Sequence, residues 1–290
     1  EVGARAKLML ATLIGLSVLI NGLNVVNSYV GRDFFTSIEQ KSMSGFAMYA
    51  VLYVAVFAAS TVVAVLFRFA EERLGLLWRE WLTRDLVSAY VEHPTFYRLN
   101  DAVAENGEIT NPDQRITDDV RAFTTTTLSF FLLLLNASFT VFAFSGVMWS
   151  ISPRLFLVGV VYAALGSVGA VWFGHPLVGL NSKQLDREAE LRSELIHLRE
   201  NAESVAFARS EALQKSRLLR RIDEVVANSR HMIAVNRSLG YFVTGYNYMI
   251  QIIPALIVAP MFIRGHAQFG EIAQSAMAFT QLLGAFSLIV

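Results

Sequence analysis

A chain of 290 residues, 54% hydrophobic and 17% charged, contains no cysteine, which excludes a disulfide framework, a thiolate metal site and a thiol nucleophile. Its 24 Lys and Arg equal its 24 Asp and Glu, leaving no basic surplus of the kind that nucleic-acid binding draws on. The mean hydropathy is +0.46, and the charges sit in blocks separated by six uncharged runs.

An α-helix rises ~1.5 Å per residue and needs roughly 20 apolar residues to cross ~30 Å of hydrocarbon. The first run, 8–31, follows Arg5 and Lys7 and places Asn21, Asn24 and Asn27 at three-residue intervals on roughly one face. The second, 42–67, leads into 54 residues rich in charge, 68–121. There a helix containing Trp78–Tyr90 is interrupted at Glu92–His93–Pro94. Another is expected to start at Asn111–Pro112–Asp113, with Asn as cap, Pro at the first helical position and a carboxylate in the first turn. The third and fourth runs, 122–152 and 155–182, are joined by a tight turn at Ser152–Pro153–Arg154. His175, beside Pro176, is expected to mark a kink.

A second charged segment of 55 residues, 183–237, follows. Leu191, Leu195, Leu198, Ala202 and Val205 recur in it at spacings of three and four, one apolar seam asking for a helical neighbour. A reversal is expected near Ala202–Ser210. The fifth run, 238–263, carries Tyr241, Thr244, Tyr246, Asn247, Tyr248 and Gln251, and the sixth, 272–290, carries Gln274 and Gln281. Polar groups in lipid must find partners or face water. Asn21, Asn24, Asn27, Tyr241, Thr244, Asn247, Tyr248, Gln251, Gln274 and Gln281 are therefore read as lining a hydrated substrate pathway.

The predicted fold is an all-α membrane protein of six transmembrane helices with two long intracellular helical extensions. With the N-terminus in the cytoplasm, only Arg32, Lys41, Arg154 and Arg264 of the Lys and Arg fall outside, as the positive-inside bias requires. None of the six runs contains an Asp or Glu to hold a proton at depth, so energy is expected to enter through the extensions. The five histidines have no ligand spacing, and no triad or phosphate-binding loop is present. Nothing on the chain reads as catalytic or as a metal site.

Six spans with two long helical loops resemble the membrane half of exporter-type ABC transporters. Trp78–Thr83, Tyr97–Arg98, Asn111–Ile116 and Asp118–Val120 are similar to the first intracellular loop of one branch. Glu190–Arg192, Asn201–Phe207 and Glu211 are similar to its second. That branch joins peroxisomal fatty acyl-CoA transporters to SbmA/BacA-like ATP-driven bacterial proteins. The resemblance covers nearly the whole chain, residues 1–290, and implies a homodimer of half-transporters in a membrane, expected to be a bacterial inner membrane. A nucleotide-binding domain holding ATP and Mg is expected after Val290, the chain being read as a segment of a longer protein.

The tips of the two loops would dock on that domain through His93, Pro94, Tyr97 and Arg98, and through Ala202, Glu203, Val205, Phe207 and Arg209. Asn111, Pro112, Asp113, Gln114 and Arg115 form the loop motif. The implied cargo is bulky or amphipathic: a fatty acid or acyl-CoA, a cobalamin or a peptide. The competing readings are a stand-alone SbmA/BacA-like permease driven by protons, and a membrane scaffold that transports nothing.

Overall fold

The computed structural model describes residues 2–92, 96 and 112–287, and all its regular structure is helical. Helix α1 spans Val2–Glu39 and α2 spans Met43–Val91; a single turn at Pro112–Gln114 and a π-turn at Arg115–Asp119 lead into α3, Val120–Ile151. Helix α4 covers Pro153–Glu200, α5 Ala202–Phe207, α6 Glu211–Ile263 and α7 Phe269–Ser287. Helices α2, α4 and α6 have 49, 48 and 53 residues, about 70–80 Å at the α-helical rise, more than twice a hydrocarbon core. Each therefore carries a charged length that no bilayer core accommodates.

By length and composition five described helices can cross a membrane: α1, α2, the helical stretch 115–151, α4 and α6. In α2 only 6% of the most apolar stretch is buried within the chain, so its apolar side chains meet lipid or another protein. The sixth expected span forms α7, of 19 residues. Its described part is less apolar because Glu271, Gln274 and Gln281 interrupt it. Its apolar side is buried, with Ala278, Phe279, Leu282, Leu283 and Ala285 in one stripe.

The chain divides into two compact units. The first comprises residues 1–159 and 253–289. In it α1 packs on α2, α3 and α7, and α3 packs on α2 and α7. A tight turn reverses α1 into α2: Lys41 takes a left-handed φ of 53°, and Ser42 Oγ accepts from the Gly45 amide at 3.3 Å to cap α2. Phe34 stacks on Tyr53 at 5.9 Å. Farther along, Leu13, Leu74, Leu128 and Leu132 form a buried cluster with Leu10, Phe67 and Trp78 against it.

The second unit is 160–252, an antiparallel pairing of α4 and α6. Its uncharged half is a ring-into-glycine seam. A side chain on Gly166 would overlap the Tyr246 ring, and one on Gly169 would overlap Phe242. Tyr162 and Tyr246 stack at 4.4 Å, and each hydroxyl donates to the other's backbone carbonyl, at 2.9 and 3.2 Å. Gly166→Ala and Gly169→Ala are each expected to lower stability by ~1–3 kcal/mol through overpacking. The rings give way at their far ends, so the loss shows as a lower thermal midpoint in nanodiscs without collapse of the fold.

The charged half differs from the expected leucine stripe. Leu191 and Leu198 are half-buried, but Leu195 is 50% exposed. Ala202 and Val205 lie on the separate helix α5. The seam runs through Gln184, Arg187, Leu191, Glu194 and Leu198, all half-buried at spacings of three and four. Opposite them Arg221 pairs with Glu190 at 2.8 Å, Glu224 at 3.1 Å and Glu194 at 4.0 Å. The hydrogen bond to Glu224, then the Glu190 carboxylate, holds the Arg221 guanidinium charged above its ordinary range. Asn228 donates to the Leu180 carbonyl at 3.0 Å and to Gln184 Oε1 at 2.9 Å. Arg221→Gln is expected to speed amide hydrogen exchange several-fold around 187–194 and 217–228, while the Tyr162–Tyr246 half keeps its protection.

Helix α4 continues through Pro176, and His175 is exposed on it.

Candidate functional site

The tip of the second unit is built by two consecutive interruptions. Helix α4 stops at Glu200, where Asn201 Nδ2 donates to the His197 carbonyl at 2.9 Å. Six residues later α5 ends. Arg209 takes a left-handed φ of 48°, and the Ser210 amide donates to the Val205 carbonyl at 3.1 Å. Six residues cannot bury a hydrophobic face, and α5 shows it: Ala202 and Glu203 are exposed, Val205 is half-buried, and Phe207 is 89% exposed. The Phe207 ring thus stands isolated at the tip, between an exposed Glu203 and an exposed Arg209.

Of the first tip, His93, Pro94, Tyr97 and Arg98 lie outside the described residues, as does Asn111 of the loop motif. Asp113 lies in the first turn of the single helical turn that Pro112 opens. Asp113, Gln114 and Arg115 are exposed, and Arg115 approaches Asp119 at 3.7 Å across the π-turn. A π-turn inserts one extra residue into the helix, a feature that recurs at functional sites.

The polar residues expected to share one pathway separate into distinct settings. Asn21 is buried and committed to helix pairing: its Nδ2 donates to Asn136 Oδ1 at 2.9 Å and to the Ser17 carbonyl at 2.9 Å. Ser17 donates to the same Asn136 oxygen at 3.2 Å, and Thr140 donates to Asn21 Oδ1 at 2.8 Å. This is a closed clamp between α1 and α3. Asn24 and Gln281 are half-buried, while Asn27 and Gln274 are buried. Tyr241, Thr244, Asn247, Tyr248 and Gln251 belong to the second unit and are exposed along α6.

Sequence reasoning left out Asn136, although it interrupts an otherwise apolar run on α3. It also left out Tyr162 and Tyr246 as a pair, for which the matching glycines on α4 are the signal.

Two grooves open on the first unit. One, of ≈ 640 Å³, is lined by apolar groups including Leu10, Leu77, Trp78, Trp81 and Phe131, with Lys7 at its edge. The other, of ≈ 400 Å³, is lined by Arg68, Glu71, Arg79, Arg121 and Ser129. Leu128 forms part of both walls. Glu71 accepts from Ser129 at 2.9 Å, and Arg68 pairs with Glu72 at 3.3 Å. Among the described residues no cluster of His, Asp or Glu is placed to hold a metal ion.

Helices longer than a bilayer, joined by polar clamps and glycine seams, define a helical membrane domain. Residues 1–263 match the family described as ABC transporter transmembrane region 2, and the chain belongs to that family: it is an ABC transporter membrane permease domain and an integral membrane protein. It is 38% identical over 286 residues to ABC transporter D family member 2, chloroplastic, of Arabidopsis thaliana, covering 99% of this chain and 40% of that protein. An uncharacterized ABC transporter ATP-binding protein of Synechocystis is 36% identical over 97% of this chain and 42% of its own length. The lysosomal cobalamin transporter ABCD4 of Homo sapiens is 25% identical over 88% of this chain and 42% of its own. The chain thus spans about two fifths of these relatives, which by their names are ATP-binding or transport proteins.

Proposed function

We propose that this chain is the translocating half of an ATP-driven half-transporter that works as a homodimer. Its nucleotide-binding domain lies elsewhere in the whole protein and carries ATP and Mg, and this chain supplies no catalytic group. The observation that carries the reading is Phe207, bare at the tip of a helix pair latched by Arg221. Such a latched pair transmits a push at its tip along its length, a two-state coupling that needs no titrating group in the membrane. The orientation that fits puts the tip and the N-terminus in the cytoplasm, as in a bacterial inner membrane.

The cargo is amphipathic. An apolar groove beside one in which Arg68, Arg79 and Arg121 outnumber Glu71 and Glu72 offers one wall to a chain or ring system and the other to an acidic head. That pairing favours the fatty acid or acyl-CoA class over a peptide or a cobalamin.

The test uses the full-length protein in liposomes, with ATP hydrolysis and substrate flux measured together. An aromatic anchor at an interface contributes about 2 kcal/mol or more, so Phe207→Asp is expected to reduce flux per ATP hydrolysed by roughly tenfold or more, while Phe207→Leu retains most of it. Unchanged coupling in both Phe207→Asp and a deletion of 202–207 would overturn the reading. Transport that survives ATP depletion but stops when the pH gradient collapses would overturn it in favour of the proton-driven permease.

A further inference from the structure

The first unit leaves three buried side-chain atoms without a hydrogen-bond partner: Asn27 Oδ1, Ser28 Oγ and Gln274 Nε2. Their residues are 6%, 1% and 2% exposed. Asn27 and Ser28 sit on α1 and Gln274 on α7, and these two helices pack together.

The register brings the three atoms to one depth. Gly270, at the start of α7, lies against the Arg32 carbonyl, and its amide donates to Thr36 Oγ1 at 3.1 Å. Tyr29 bonds to Ser150 on α3, so Met148, about half a turn before Ser150, marks the depth of Asn27 and Ser28. Phe279 of α7 lies with Met148 around Gly159, so α7 runs antiparallel to α1. One turn on from Gly270 is Gln274, and one turn back from Arg32 is Ser28, with Asn27 beside it.

An unpartnered polar atom is costly inside a membrane bundle. A buried water is held where two to four polar partners converge. Here an amide donor, an amide acceptor and a hydroxyl lie buried at one depth on two packed helices. Elsewhere on the same face of α1, Ser17, Asn21, Asn136 and Thr140 satisfy one another directly. The unpartnered atoms are therefore those at the α1–α7 seam.

We propose that Asn27, Ser28 and Gln274 form a water-binding site inside the membrane domain, taking one or two molecules. The water donates to Asn27 Oδ1 and accepts from Gln274 Nε2, and the Ser28 hydroxyl completes its shell. The α1–α7 seam is therefore wet where the α1–α3 seam is dry. Parting α1 from α7 at this depth exchanges bound water for more water, whereas parting α1 from α3 breaks three interhelical bonds. This site does not depend on the substrate class or on the energy source.

Two measurements on the full-length protein in nanodiscs test it. A cryo-EM map that resolves ordered water is expected to show density within hydrogen-bonding distance of both Asn27 and Gln274. A direct contact between those two side chains, or density for a lipid chain in their place, would overturn the proposal. The second measurement compares thermal midpoints of Asn27→Leu, Gln274→Leu and the double variant. A shared water makes the pair non-additive, because the double variant leaves no half-satisfied water and recovers most of the midpoint lost in either single variant. Strictly additive losses would overturn it.

Discussion

Gly270→Val is expected to destabilise the membrane domain more than any other single substitution considered for this chain, by about 3 kcal/mol or more. The reason is backbone against side chain. A Cβ at residue 270 would overlap the Arg32 carbonyl oxygen and crowd Thr36 Oγ1, and neither atom is the free end of a flexible chain. Moving α7 away to make room also breaks the buried bond from the Gly270 amide to Thr36, stranding a donor. The losses fall on one seam, so α7 is expected to detach locally. Differential scanning fluorimetry in nanodiscs reads the midpoint, and limited proteolysis at the 264–268 turn reads the detachment. Gly270→Ala is expected to lie between the wild type and Gly270→Val. A wild-type midpoint in Gly270→Val would show that the two backbones do not approach as described.

Asn136→Leu is the second large effect expected. Asn136 Oδ1 accepts from both Ser17 and Asn21, so its removal leaves two donors without their acceptor in a buried seam. Interhelical hydrogen bonds in membranes contribute about 0.6 kcal/mol on average and up to ~1.7. The Asn21 amide keeps its bond to the Ser17 carbonyl, so the Ser17 hydroxyl is the group stranded, at a desolvation cost of ~1–3 kcal/mol, and a net loss of about 2 kcal/mol is expected. The partner variant Asn21→Leu removes the interhelical acceptor of Thr140, which keeps its bond to the residue 136 carbonyl at 2.9 Å, so its loss is expected to be smaller. Combining the two leucines removes both amides, so the double variant is expected to be more stable than Asn136→Leu alone. Chemical unfolding in mixed micelles, with the three variants side by side, measures this. Equal losses for the single and double variants would contradict the clamp.

The helices themselves were legible in the chain. Bilayer thickness sets the length of an uncharged run, and Pro and Ser mark the turns, as Ser42 and Pro153 do at the starts of α2 and α4. The charged seam was less legible. Hydrophobic periodicity cannot register Gln184, Arg187 or Glu194 as interior positions, because those residues become interior only when Arg221 and Asn228 arrive from α6 to meet them. Leu195 fits the stripe on paper yet stays exposed, since a single helix cannot say which of its faces a neighbour will cover.

The three asparagines of α1 show the same division. Their spacing put them near one face, and the cost of polar groups in lipid required an account of each. What the sequence determined alone was the class: helical and membrane-spanning, with its charges gathered between long uncharged runs. These follow from composition and run length, which act locally along the chain. Which asparagine is clamped and which is left without a partner was decided by tertiary structure, because the answer lies on other helices. Asn21 meets Asn136 on α3, while Asn27 Oδ1 on α1 and Gln274 Nε2 on α7 are buried without a partner.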